Sequence, residues 1–516
     1  MSDSSPNSLG AAIPSRKRKT IKRRTGPPPP AGTRTFIVTV STPSLRVTDA
    51  ETRKLIRSHV MLGKNKDNKI KKTSSQSSSK TQAVGSWING DHDPDCQELQ
   101  TLRAAERTSA VLNPRPRTMG SDLAAFQFAC EVPPADLELV FKFFTLMSSE
   151  LYPINLCFAF HPQSSVWFDY LFLDEAYVHS ILFATRAYFD WRRSSTVGPA
   201  SLRHLAKTLE LLRQKLDADA DADGCPPFYP DSTVSVVVGL TTAADVLGDA
   251  DSAAKHTAGL HRMVMMRGGL GALRDNRQLQ IKACRADLQV AVNRGTKPLF
   301  FADGRISWRS YLAASRDGQK DNTEEELLHD VLGETPDAKL VNVWVDLREF
   351  CRAANIAVAT GRLLDPDLFQ EVMTSVQYRL LHLRYGDGDG DGTGREDTWH
   401  EAVRLSMLAL ATTVFLRIHG MEMRYHDLGR RLKAAMLALG GASGGKKKRE
   451  MLLWMAVVAG VAIFHGPVDG SWLREYAREA DVESWTAARG VLKDRLWIDH
   501  LHDKEGADVY YWLRGN

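Results

Sequence analysis

Residues 201–216 read SLRHLAKTLELLRQKL, and five of the six leucines fall at 202, 205, 209, 212 and 216. Intervals of 3, 4, 3 and 4 keep all five on one face of a helix with 3.6 residues per turn. The spacing predicts an amphipathic α-helix with Leu202, Leu205, Leu209, Leu212 and Leu216 turned inward. The same period continues on the C-terminal side. In DSAAKHTAGLHRMVMMRGGL (251–270), Ala253, Thr257, Leu260 and Val264 share a face, and Gly268-Gly269 supplies the left-handed conformation that ends a helix. In NRQLQIKACRADLQVAVNRG (276–295), Ile281, Cys284, Leu288, Ala291 and Val292 point inward and Gly295 terminates. Further helical patterns cover 166–193, 233–247, 340–356, 365–384, 400–418, 423–439, 450–464 and the region around 482–496. From about residue 122 strand signals are few. The expected fold is all-α, a multi-helix domain over 122–516.

Upstream the texture differs. Residues 1–33 are rich in Ser, Pro, Arg and Lys and end in Pro27–Pro30, too little apolar surface to offset the entropy of ordering. A disordered basic tail is expected there. Residues 34–80 hold a short strand pattern, Phe36–Val40, and then a basic helix. Asp49 stands at its N-cap, and Leu55, Ile56, His59 and Val60 fall on one face. A Ser-rich linker follows, and 81–121 also reads as linker.

Charge follows this division. The 516 residues carry a formal charge of +5, yet residues 1–80 hold 18 Lys and Arg against 4 Asp and Glu, a balance of +14 that leaves −9 for the rest. A strongly basic tail is joined to a mildly acidic body. With 43% hydrophobic and 25% charged residues, the composition excludes a wholly disordered, collagen-like or coiled-coil chain. The cysteines, at 96, 130, 157, 225, 284 and 351, include no Cys-x-x-Cys pair. Their spacing argues against a local zinc or iron–sulfur module and against a disulfide framework, and so for a reducing compartment. No apolar stretch with a cleavage site opens the chain. The longest apolar run, Met451–Phe464, has 14 residues where a membrane helix needs about 20. It reads as a buried core helix, with no membrane partner.

The densest chemical signal is SRKRKTIKRR (15–24), in which Arg16, Lys17, Arg18, Lys19, Lys22, Arg23 and Arg24 are basic. Such a cluster suits the acidic groove of an import receptor first, a nucleic-acid backbone second, and a solvated tail as the bland alternative. A second basic stretch comprises Arg53, Lys54, Arg57, Lys64, Lys66, Lys69, Lys71 and Lys72. These are candidate phosphate-backbone contacts, because each phosphate neutralised releases counterions. No base-reading pattern accompanies them.

Other motifs dissolve on inspection. Asp387, Asp389, Asp391 and Gly392 begin an EF-hand-like loop, but its twelfth position is Thr398, which lacks the bidentate carboxylate. A loop begun at Asp219 meets Pro226 and Pro230 at the eighth and twelfth positions. Gly441-Ala-Ser443-Gly-Gly445 matches the nucleophile-elbow spacing, yet a helix precedes it and KKKRE follows, where a strand and then a helix are required. His256 and His261 are five residues apart, too far around a helix to share a metal. His500 and His502 would share a face only in a strand and read as surface residues. No catalytic set, cofactor site or metal-ligand set emerges, and the chain is not expected to be an enzyme.

Taken in order, FIVTVSTP (36–43), DAETRKLIRSHVMLGKNK (49–66), SILFATRAYFDW (180–191), LAKTLELLRQKL (205–216), the long stretch 232–270, IKACRADLQVAVNRGTKPLF (281–300), WMAVVAGVAIF (454–464) and LKDRLWIDHLHD (492–503) resemble the fungal transcription-factor-like proteins. Their large helical region is the fungal-specific transcription factor domain. The segment 231–300, with its Arg-Gly-Gly-Leu end and Arg285-Ala-Asp287-Leu, carries the likeness most specifically. The resemblance implies an all-α regulatory domain, a nuclear location and control of transcription, often of metabolic or secondary-metabolite genes. It also implies other transcription regulators or a second copy as partners. Many relatives carry an N-terminal binuclear zinc cluster held by six cysteines. Here the first cysteine is Cys96, so no zinc ligand carries over. The competing expectation is a helical co-regulator that binds another DNA-bound factor and does not itself touch DNA.

Overall fold

The computed structural model describes residues 126–147, 166–220, 229–312, 331–332, 336–385, 395–418, 421, 423, 425–440, 445–466 and 468–515. All fall within one unit of the chain, Lys80–Asn516. Among them are fifteen α-helices and no strand, so the all-α expectation holds. The short strand at 36–40, the basic helix after Asp49, the Asp-rich tract 386–392 and Ser443 lie outside the described residues.

The first group of helices is α1 (Pro134–Lys142), α2 (Val166–Leu173), α3 (Glu175–Ser194) and α4 (Pro199–Ala220). The single helix expected over 166–193 is broken in two. Asp174 adopts an extended conformation (φ −143°) and its carboxylate accepts the Tyr177 N–H, which caps α3 and ends α2. α3 and α4 form an antiparallel pair. The leucine stripe of α4 is only partly inward: Leu212 is buried, but Leu202 and Leu209 are 49% and 40% exposed. The fully buried positions are Ser201 and Thr208. At 100° per residue the contact face is thus rotated by about 60° from the leucines. Small residues bring α4 close to α3, and their hydroxyls are satisfied by the Asp190 carboxylate at 2.7 Å and the His204 carbonyl at 2.8 Å.

The second group is α5 (Asp231–Val246), α6 (Ala250–Met266) and α7 (Arg277–Arg294), with a 3₁₀ turn at Leu270–Leu273. The expected face of α6, Ala253, Thr257, Leu260 and Val264, is buried throughout. Gly268 and Gly269 take positive φ after it, and Gly295 (φ 64°) ends α7 in the left-handed conformation. α7 lies at the centre, packed against α5, α6, α9 (Pro366–His382) and α11 (His426–Ala438). Burial therefore extends beyond the predicted face to Gln280, Arg285, Asp287 and Gln289, and each of these four polar side chains has partners within the protein.

The remaining helices are α8 (Ala338–Thr360), α10 (Arg395–Phe415), α12 (Lys446–Ala462), α13 (Arg474–Glu479), α14 (Trp485–Lys493) and α15 (Asp499–Arg514). α12 is buried on every side from Met451 to Ala462. Each buried apolar side chain there adds about 1.5–3 kcal/mol, which makes this run the core helix its length suggested. No described helix is long and apolar enough to cross a membrane. Trp344 of α8 and Trp454 of α12 meet edge to face at 5.6 Å, and the Trp454 indole donates to the Leu496 carbonyl at 2.9 Å.

One expectation is corrected here. His500 and His502 lie on a helix, α15, and only His500 is exposed. His502 is fully buried, 2.9 Å from the Thr413 hydroxyl, and its Nδ1 accepts the Ile498 N–H. Burial and the Arg417 charge lower its pKa to about 3, so it is a neutral core histidine.

Candidate ligand site

Beside the contact of α7 with α9, the N-terminal half of α7 and residues 371–378 of α9 leave a gap. The gap is covered by the 3₁₀ turn and by the irregular segment 296–312, leaving a partly open cavity of about 80 Å³. This is room for a few water molecules or a small chemical group. Leu270, Ile281, Cys284, Phe301, Ile306 and the Tyr378 ring form apolar walls. Phe301 meets Tyr378 edge to face at 4.9 Å.

Two buried carboxylates pin the cover. Asp287 accepts the backbone N–H groups of Leu299 and Phe300 at 2.8 and 3.0 Å, and the Tyr378 hydroxyl at 2.9 Å. Burial outweighs these hydrogen bonds and raises Asp287 to about 6. Asp346 of α8 accepts the N–H groups of Tyr311 and Leu312 at 2.9 and 2.8 Å and the Ser310 hydroxyl at 2.6 Å. Its charge is matched by Arg379, whose Nη2 lies 2.5 Å away, and both side chains are wholly buried. An ion pair so enclosed is sustained by the added hydrogen bonds, which fill the remaining lone pairs.

At the mouth, Arg277 pairs with Glu371 and donates to the Gln280 side-chain oxygen at 2.6 Å. The Tyr311 hydroxyl donates to the other Glu371 oxygen at 2.6 Å, and burial together with this carboxylate raises its pKa. Cys284, in the wall, is pushed up to about 12 by burial and by Asp287, so it remains a thiol. The Thr374 and Ser375 hydroxyl oxygens also line the cavity, are buried, and have no hydrogen-bond partner in the protein. A buried hydroxyl left unpaired costs about 1–3 kcal/mol, which a ligand or water in the cavity recovers. Apolar walls with a few convergent polar groups are the usual form of a small-molecule site.

None of the sequence-predicted site residues is among the described residues. Arg16, Lys17, Arg18, Lys19, Lys22, Arg23 and Arg24, and also Arg53, Lys54, Arg57, Lys64, Lys66, Lys69, Lys71 and Lys72, lie outside the described residues. Sequence reasoning missed the cavity because its walls come from 270–311 and 371–378, which no local spacing connects. One signal was available: Asp287 stands mid-helix among apolar positions, where a carboxylate needs a partner. Comparison of the chain with family models, with characterised proteins and with solved structures finds no match.

Proposed function

We propose that the chain is a nuclear transcription regulator of fungal type, acting on metabolic or secondary-metabolite genes. Its basic tail directs import and its helical body responds to a small molecule. The observation that carries this reading is the joining, in one chain, of the Arg16–Arg24 cluster to an all-α body with a preformed apolar cavity. The cavity suits a small neutral molecule with one or two hydrogen-bonding groups within reach of Thr374 and Ser375. Its own titratable groups support binding and not catalysis. Glu371 is occupied by Arg277 and Tyr311, and Cys284 stays protonated. Import receptor, DNA backbone and other regulators or a second copy are the partners this reading names.

A second reading is a co-regulator recruited by another DNA-bound factor. It is favoured by the position of the first cysteine, Cys96, which leaves the basic tail without the cysteine ligands of a zinc-cluster DNA reader. The full chain fused to a fluorescent reporter tests the shared premise. Nuclear accumulation is expected, and replacing Arg16–Lys19 and Lys22–Arg24 by Gln should abolish it. A distribution unaffected by these replacements refutes both readings.

A further inference from the structure

Local spacing points to no metal site, but the fold assembles one set of ligand types. Glu175 and His179 are one turn apart on α3 and so share a face. Cys130 arrives from the segment before α1. That segment is fixed just before Cys130: the Ala129 N–H donates to the Leu171 carbonyl at 2.8 Å, and Phe128 stacks on Phe172 at 5.6 Å. The Cys130 sulfur, a Glu175 carboxylate oxygen and a His179 ring nitrogen all lie within 4.8 Å of one another. Nε2 of His179 is 3.9 Å from Glu175 Oε1. A tetrahedral ion with Zn–N, Zn–O and Zn–S bonds of 2.0–2.3 Å holds its ligand atoms about 3.3–3.8 Å apart. Small torsional changes of Cys130, a free thiol, and of Glu175, 40% exposed, close the difference.

A second observation orients the histidine. Nδ1 of His179 and Nδ1 of His204 are 3.1 Å apart, so one must donate to the other. His204 presents its Nε2 to Asp136 Oδ2 at 3.7 Å, and Asp136 is itself held by Arg186 at 2.5 Å. With Nδ1 engaged by His204, the Nε2 of His179 is the ring nitrogen left on the side of Glu175. Outer-shell partners of this kind orient ligating histidines.

We propose that Cys130, Glu175 and His179 bind a divalent transition-metal ion of zinc type, with His204 as a positioning residue. Sulfur, nitrogen and oxygen together select such an ion over magnesium or calcium, which take oxygen ligands. One thiolate and one carboxylate neutralise its double charge, and the partly open site leaves a fourth position for water. On binding, the Cys130 S–H bond breaks, the sulfur–metal bond forms and the proton goes to solvent.

Titration of the purified full chain with cobalt(II), and with zinc in competition with a chromophoric chelator, tests the site. One equivalent should bind with a thiolate-to-cobalt charge-transfer band. Cys130→Ser should abolish the band, and His179→Ala and Glu175→Gln should each weaken zinc at least tenfold. His204→Ala, which removes no ligand, should weaken zinc by about 10–100-fold. Glu175→Gln alters an exposed side chain and keeps the test readable where a core-facing variant fails to fold. Absence of the charge-transfer band in the wild-type chain, or unchanged zinc affinity in Glu175→Gln, overturns the proposal.

Discussion

Asp287 decides how the cavity is roofed. Its two oxygens hold Leu299, Phe300 and Tyr378, joining the cover to α7 and α9 through one side chain. Asparagine can supply only one acceptor, and its amide group must face an N–H, so Asp287→Asn should loosen the segment 296–312 and destabilise the protein. The pH dependence separates this from a generic core defect. The folded pKa of about 6 lies above the ordinary 3.8, so the folded state holds the proton more tightly than the unfolded chain. That contribution is full below about pH 4 and is lost as pH rises through 6. The variant has no such proton, and its loss of stability relative to wild type should be greater at pH 5 than at pH 7 by about 1 kcal/mol. Urea unfolding of both chains at the two pH values measures the difference, and a gap that does not change with pH would count against it. His502 shows the same physics with opposite sign. A histidine the sequence placed on the surface is neutral in the core because α15 turns it toward Thr413. Burial of a single polar residue depends on which helix opposes it, and the sequence around that residue does not say.

At the scale of the element, periodicity was a good guide to where helices form and a weaker one to how they turn. The inward faces of α6 and α7 and their glycine stops were legible because apolar spacing and the left-handed cap are local properties. The break at Asp174 was not, since an acidic residue inside a helical pattern reads equally as surface or cap. α15 was missed because LHDKEG offers no apolar stripe until Val509. α4 is the instructive case. Its strongest pattern, the five leucines, is displaced from the face that packs, because Ser201 and Thr208 permit closer approach to α3 than leucine would. Two substitutions separate pattern from packing. Leu209→Glu should change stability by no more than about 0.5 kcal/mol, as at other exposed positions, whereas Leu212→Ala should cost about 2–5 kcal/mol. Chemical denaturation of the two variants gives the comparison, and equal losses would show that the leucine stripe as a whole is buried.

For the whole molecule, the partition of charge sets what the chain can do near nucleic acid. The net −9 of the remainder is repelled overall by a phosphate backbone, so on the proposed reading contact with DNA falls to the residues that hold +14. Fold and cavity belong to the body and could be derived from helix packing. The function proposed for the tail rests on composition alone. On that reading the two basic stretches make separable contributions. If the eight residues Arg53 to Lys72 each neutralise one phosphate, they supply a slope of about −7 in log K against log salt. Duplex binding by the full chain, measured across a salt series, should therefore be steep and independent of sequence. Replacing Arg53, Lys54, Arg57, Lys64, Lys66, Lys69, Lys71 and Lys72 by Gln should flatten it by about that amount, while the Arg16–Arg24 cluster retains import. A slope that survives the replacement places the phosphate contacts elsewhere. No binding by the full chain even at low salt favours the recruited co-regulator, whose position on chromatin is then set by its partner.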